Sequence, residues 1–531
     1  MVMARSTRPS RGPSGRRSPE GMPVELPYAR LAVPLIASPR RARRPRGGSW
    51  SSTPMVTVSL MHANERPRSG RCGVNPGARV VPTRRKRTLD ERRPGRPPRA
   101  RAGPTRASRR SESGLSAPLH PSEPADRSNW YILSTHGSTS DPGSVPMEYQ
   151  DSILLEHDVD PVRGFLPPVD PIDRLPSEFD AWETIAEKIP DDLLSGRLRQ
   201  RVDTLEVIDP GSLKKRPQLD RAMRLLSFIG NGYAWDGESP AGSFPRGLSI
   251  PWSRVAGRLE RPMIASHASV VLCNWRRLDP EGPIDLGNIE TMNLFLDTPD
   301  ERCFYLATVA IESRGAPAIV DIVKAVQATR GADHDTIEAC LVRIRSVIEE
   351  ITRGLEQLKQ GCDPAVFYEK IRPFLSGWPE PGITYEGADI GPVRYTGGSA
   401  AQSSLLQSID AGLGVRHVDD ASRPFLVEMR RYMPPDHRRF VEWVEAAPSL
   451  RNFIESSGSA GLSQAYDGCI DMLDVFRKCH MEITHDYITR QAVRGEKALG
   501  TGGTEYARFL STTRRETRSS RLGHTAQEND G

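Results

Sequence analysis

A chain of 531 residues is long enough for two or three domains, and its formal net charge of +6 averages two unlike parts. Residues 1–128 hold 28 Lys and Arg against 8 Asp and Glu, a surplus of 20 positive charges that leaves residues 129–531 with a net of −14. No apolar run reaches the roughly 18 residues needed to span a bilayer, which excludes a helical membrane protein. The seven cysteines are scattered, odd in number and without a C-x-x-C pair, which excludes a disulfide framework and suits a reducing, cytoplasmic setting.

The chain opens on an Arg-, Pro-, Ser- and Gly-rich tail, as in "RRPGRPPRARAGPTRASRRSES", with a single Lys among its basic residues. Such a segment cannot bury enough apolar surface to offset chain entropy, so residues 1–146 are expected to be a disordered tail. A minor-groove hook through "PGRPPR" and a mitochondrial transit peptide are the functional alternatives. The prolines oppose the second, and nucleic acid is not an expected partner. A solvated tail, or an N-terminal extension that the cell does not make, with Met147 as the start, is the simpler expectation.

From about residue 150 the pattern is helical. "SEFDAWETIAEKI" carries Phe179, Trp182, Ile185 and Ile189 at helical steps, with Ser177 as the expected N-cap. "DRAMRLLSFIGNGYAW" continues with Met223, Leu226 and Ile229. "AIVDIVKAVQATRG" and "DTIEACLVRIRSVIEEITRGLEQLKQG" read as amphipathic helices, each closed by a glycine cap. "SRPFLVEMRRYM" stops at Pro434-Pro435, and "ASVVLCNW" is ambiguous between helix and strand. The expected fold class is all-α. A body of about 385 residues exceeds the roughly 250–300 that one core supports, so two helical lobes are expected, 147–295 and 296–531. The glycine clusters "YTGGSAAQSS" and "GTGGTEYARF" are neither a P-loop nor G-x-G-x-x-G. They fit close backbone approach to a ligand or a flexible loop.

The segment from Leu462 sets an apolar stripe of Leu462, Ala465, Cys469, Met472 and Phe476, and its next place is His480, followed by Ile483 and Tyr487. An imidazole there is ordinarily a core histidine with satisfied ring nitrogens. The alternative is a metal ligand. Zinc spacing is absent, so a metal held by His480 has to bring its other ligands with it, as haem does. His485, five residues on, falls about 140° further round a helix of roughly 3.6 residues per turn.

"FLPPVDPIDRLP", "LSGW", "GGSAAQSS", "MRRYMPPDHRRF", "FRKCHMEITHDYI" and "GTGGT" together resemble the indoleamine 2,3-dioxygenase family, from about Gly164 to about Arg514. The resemblance implies two helical lobes with one haem b per chain, bound in the larger C-terminal lobe. It also implies dioxygen insertion across the indole C2–C3 bond of L-tryptophan, giving N-formylkynurenine. That reaction is the entry to the kynurenine pathway and NAD biosynthesis, in a cytoplasmic monomer served by a cellular reductant. The implied partners are L-tryptophan and O2, with no membrane. By the resemblance His480 is the proximal iron ligand, Arg477 and Asp410 are its supporting ion pair, and Ser399 and Ala400 lie at the haem edge. Tyr233, Phe304, Phe367, Tyr368, Arg372 and Thr504 are the implied substrate contacts, with Arg372, Phe367 and Thr308 the implied catalytic set. Thr308, Tyr368 and Ala401 stand where the best-known members have serine, phenylalanine and glycine. A haem-binding homologue without turnover, and nucleic-acid binding through the tail, are the rival functions.

Overall fold

Residues 149–492, 499–500 and 505–523 are described by the computed structural model, and their architecture is helical. The helices of eight residues or more are α1 (Tyr149–Glu156), α2 (Asp180–Glu187), α3 (Arg216–Trp235), α4 (Arg246–Leu259), α5 (Pro299–Ala328) and α6 (His334–Gly361). They continue as α7 (Ser404–Gly412), α8 (Arg423–Arg430), α9 (Pro435–Ala446), α10 (Leu450–Ser457), α11 (Ala460–Thr484) and α12 (Tyr506–Arg518). Among the described residues, five strands of two to four residues make two small sheets. In one, β4 (Ile383–Tyr385) lies between β1 (Ser243–Phe244), parallel, and β5 (Ile390–Val393), antiparallel. The other is the antiparallel ribbon of β2 (Trp275–Arg277) and β3 (Ile289–Thr291), with Trp275 opposite Thr291. No helix among the described residues is long and apolar enough to cross a membrane.

The helix that matters most for the site is α5. Thr298 caps it by accepting the Glu301 N–H, and Pro299 occupies the first turn, where its missing N–H costs nothing. Helix α6 starts from an Asp333 cap and folds back along α5, and α11 packs on α6. Two glycines set the spacing. A Cβ on Gly354 of α6 would lie 2.5 Å from the Ile311 side chain, and one on Gly315 of α5 would lie 2.3 Å from Leu405 of α7. Backbone thus presses on side chains at both faces of α5. Of the expected stripe, Leu462, Cys469, Phe476 and Ile483 on α11 and Tyr487 in the π-helical turn that follows it (His485–Thr489) are buried, whereas Ala465, Met472 and His480 are half-buried. Each such large side chain contributes about 1.5–3 kcal/mol of transfer free energy.

Several local expectations are corrected. Ser177 is not an N-cap: it begins a 3-10 turn, Ser177–Phe179, and α2 starts three residues later without a side-chain cap. The four apolar residues placed on that helix face are buried as expected. Neither of the two glycine caps forms. After α5 the left-handed residue is Ala332 (φ 51°), one past Gly331, and Gly361 lies inside α6, where a Cβ would meet Cys303 Sγ at 2.4 Å. Gly230 and Gly232 are helical positions in α3, as the helical reading of "DRAMRLLSFIGNGYAW" expected. "ASVVLCNW" resolves into a π-helical turn, Ala268–Leu272, followed by β2.

Candidate functional site

Helix α11 begins at Ser459, whose hydroxyl accepts the Leu462 N–H, and carries the apolar stripe straight to His480. The His480 ring is half-buried and stacks on Phe476, with centroids 6.4 Å apart. Its carbonyl accepts from Thr484 Oγ1, but no group among the described residues hydrogen-bonds its imidazole. Burial, with the Arg477 charge adding to it, pushes this imidazole down to about 4. A neutral, unpartnered imidazole is the form that ligates iron, and the observed ring fits that use. His485, by contrast, is exposed.

One turn before His480, Arg477 Nη2 donates to both carboxylate oxygens of Asp410, at 2.5 and 2.7 Å, and its Nε donates to Thr517 Oγ1 at 2.7 Å. The structure therefore brings together the two residues named as a pair from sequence, across 67 positions. It also extends them. His417 Nε2 meets Asp410 Oδ2 at 3.1 Å, and His417 Nδ1 meets Glu516 Oε2 at 2.7 Å. Glu516 in turn accepts the backbone N–H groups of Val418 and Asp419 and the Ser422 hydroxyl. Burial acts to raise Asp410, but the Arg477 charge and the His417 contact overcome it and hold the carboxyl down at about 2. For His417, burial acts to lower its pKa and the Asp410 bond wins, so the imidazole is raised. The chain Arg477–Asp410–His417–Glu516 ties α11 to α7 and to α12. Sequence reasoning did not find His417 or Glu516, because no local spacing links residues 99 positions apart.

The other wall is aromatic. Phe304, Thr308 and Glu312 recur at four-residue steps on α5 and so share one face. Phe304 lies 4.7 Å from Phe367 between centroids, and Phe367 lies 5.6 Å from Tyr487, in the π-helical turn His485–Thr489 that continues α11 beyond His480. Phe367 and Tyr368 sit in a π-helical turn, Phe367–Ile371, and Arg372 follows at the start of a 3-10 turn. The Arg372 guanidinium stacks 5.1 Å over the Tyr368 ring, and its Nη2 donates to the Leu499 carbonyl at 2.6 Å. Thr308 Oγ1 donates to the Phe304 carbonyl of its own helix. Phe304, Phe367, Tyr368 and Arg372 thus lie in one neighbourhood. Tyr233 does not join these rings. It packs on Phe244, its hydroxyl donates to Asp203, and Arg199 lies over its face. Thr504 falls outside the described residues.

The glycine-rich segment carries Ser399, half-buried and accepting the Ala401 N–H, and Ala400, which is exposed. It is pinned from both sides. The Gly398 N–H donates to Leu375 O, and the Gln402 side chain accepts the His267 N–H and donates to Gly397 O. Ser403 Oγ donates to Glu312 Oε1 at 2.6 Å, and the same oxygen meets His267 Nε2 at 2.8 Å. His267, Glu312 and Ser403 are all buried. Nothing in the sequence singled them out, although an ionisable residue inside the apolar run "LATVAIES" is the signal that could have.

The indoleamine 2,3-dioxygenase family model matches residues 153–520. The chain is 37% identical over 373 residues to indoleamine 2,3-dioxygenase 2 of Mus musculus, covering 67% of this chain and 92% of that one. It is 36% identical over 400 residues to the Homo sapiens protein of the same name, covering 71% and 97%. It is also 32% identical over 422 residues to indoleamine 2,3-dioxygenase of Saccharomyces cerevisiae, covering 69% and 93%.

Proposed function

Because this chain belongs to the indoleamine 2,3-dioxygenase family and is therefore an oxidoreductase of the dioxygenase class, we propose that it adds O2 across the indole C2–C3 bond of L-tryptophan to give N-formylkynurenine. In this reading the product feeds the kynurenine route to NAD. The enzyme is a cytoplasmic monomer with one haem b and draws on a cellular reductant. A small lobe, 147–295, backs a larger catalytic lobe, 296–531. The observation that carries the proposal is the half-buried His480 imidazole, neutral and unpartnered among the described residues, on the inner stripe of α11. Haem, when bound, supplies the oxygen chemistry.

The chain's own residues do the rest. His480 is the side chain that would hold the iron. The Arg477–Asp410 pair, its carboxylate buried, fixes the turn of α11 that carries it, as outer partners fix metal ligands generally. Phe304 and Phe367 offer an apolar wall that takes the indole and keeps water from it. Arg372, whose guanidinium stacks on Tyr368 while its Nη2 donates to Leu499 O, is the cation that would take the substrate carboxylate. Holding the indole at one end and the carboxylate at the other leaves the ring few orientations, which is catalysis by positioning. Thr308, an uncharged and weakly basic hydroxyl that donates to Phe304 O, supplies no general base. The scheme needs none, because oxygen adds to the indole π-system. Ser399, on the pinned glycine-rich segment, would border the cofactor edge.

The test is anaerobic reduction of the purified haem-loaded protein, followed by O2 with L-tryptophan, with absorbance of N-formylkynurenine as readout. Formation of that product at a rate that scales with enzyme is expected. Haem loading without any product under these conditions would overturn the proposal.

A further inference from the structure

A cavity of about 520 Å³ lies among α7, α8, α9 and the connection after α7, and none of His480, Phe304, Phe367 or Arg372 lines it. Its volume falls within the roughly 300–1,000 Å³ of small-molecule sites. Part of its wall is apolar: Val326, Val415, Leu426 and Val444. The polar part holds Arg416, Arg423, Arg430 and His417 against Asp410 and Glu445, and Asp410 is already neutralised by Arg477 from outside the lining.

The hydrogen-bond inventory of this lining is one-sided. Its side-chain acceptors are taken. Glu445 receives a two-pronged grip from Arg430, at 2.6 and 2.8 Å, and a third bond from Arg423 Nη1 at 2.8 Å. Asp410 receives Arg477 twice and His417 once. Gln407 Oε1 receives Arg430 Nε at 2.7 Å. Its donors are not. Arg416 is exposed and makes no hydrogen bond or ion pair among the described residues. Arg423, among the same residues, uses Nη1 alone and keeps Nε and Nη2. Ser449 Oγ accepts the Asn452 N–H, which leaves its own proton to give. A wall with spare guanidinium donors, filled acceptors and net positive charge is matched by an anion whose oxygens accept several bonds at once.

We propose that this cavity binds a small organic oxyanion, a carboxylate or a phosphate monoester, with its head held by Arg416 and Arg423 and a short apolar body against Val415, Leu426 and Val444. The occupant sits against Asp410 and His417, the groups that anchor Arg477, although its binding requires neither haem nor tryptophan. The site therefore stands or falls separately from the proposed reaction.

Calorimetric titration of the purified full chain with pentanoate and with monobutyl phosphate, in low chloride at matched ionic strength, tests it. Binding of at least one is expected, and which of the two binds identifies the head group. Arg416→Gln should weaken that binding about tenfold, the loss of one charge-assisted bond, and adding Arg423→Gln should remove it. Arg416 supports no described contact, so Arg416→Gln should melt at the wild-type temperature, and that single variant decides the matter if the double variant unfolds early. His480→Ala should bind the anion as the wild type does. Absence of heat with both probes at millimolar concentration, or equal affinity in wild type and Arg416→Gln, overturns the proposal.

Discussion

Replacing Asp410 tests the link between the α7 carboxylate and the helix that carries His480. Asp410 is buried and accepts two bonds from Arg477 and one from His417. Folding lowers its carboxyl from 3.8 to about 2. A depressed acid contributes stability that is fully present above the unfolded value and is lost as pH falls through the folded one. The window is therefore roughly pH 4 down to 2, and the size about 2 kcal/mol at 1.36 kcal/mol per unit. Asp410→Asn keeps the shape and removes the charge, so it should cost about that much at pH 7 and flatten the acid limb below pH 4. Asp410→Ala removes the acceptor oxygen as well as the charge, leaving the nearly buried Arg477 guanidinium with no side-chain partner on α7, which raises the cost to about 3–5 kcal/mol. Urea midpoints of haem-free wild type and both variants, measured from pH 7 to pH 2.5, provide the assay. In haem-loaded protein Asp410→Asn should still show a Soret band, because His480 is untouched. An Asp410→Asn midpoint equal to the wild type at pH 7, or the same acid limb in both, would refute the assignment of the stabilisation to this ion pair.

His480→Ala should lose stable haem binding, with partial recovery on added imidazole, whereas the exposed His485→Ala should keep a normal Soret band; the opposite pattern would show that the wrong histidine had been chosen. Arg372→Leu should retain haem and lose roughly 1.5–3 kcal/mol of transition-state stabilisation on tryptophan, read as kcat/KM, with little change on indoles that lack a carboxylate. An equal loss on both substrate types would make Arg372 structural. Gly230→Ala puts a Cβ 2.1 Å from the buried Trp252 ring, so it should destabilise by about 1–3 kcal/mol and lower Tm; an unchanged Tm would mean that α3 and α4 shift apart at no cost.

The sequence by itself determined what repeats within a few residues. The three- and four-residue steps of α11 put His480 on the inner stripe and His485 outside it, and both sit there. Helical class, the buried faces of α2 and α3, and the family motifs were legible for the same reason: each is written in neighbours on one turn or in a contiguous string. Glycines were misread because their local meaning is ambiguous. Gly361 looked like a cap, yet it is small because the Cys303 side chain of α5 occupies the space of its Cβ, as Trp252 of α4 does at Gly230 inside α3. Tyr233 carries a phenol suited to a pocket wall, but only the packing of α3 decides that it faces Asp203 and Phe244. The tertiary structure alone decided the partners of buried charge. Glu312 meets His267 and Ser403 across 45 and 91 positions, and His417 bridges Asp410 and Glu516 across 7 and 99. A charge buried without a partner is costly, so folding must supply one, but which residue arrives depends on how the helices stack, and no helical period records that.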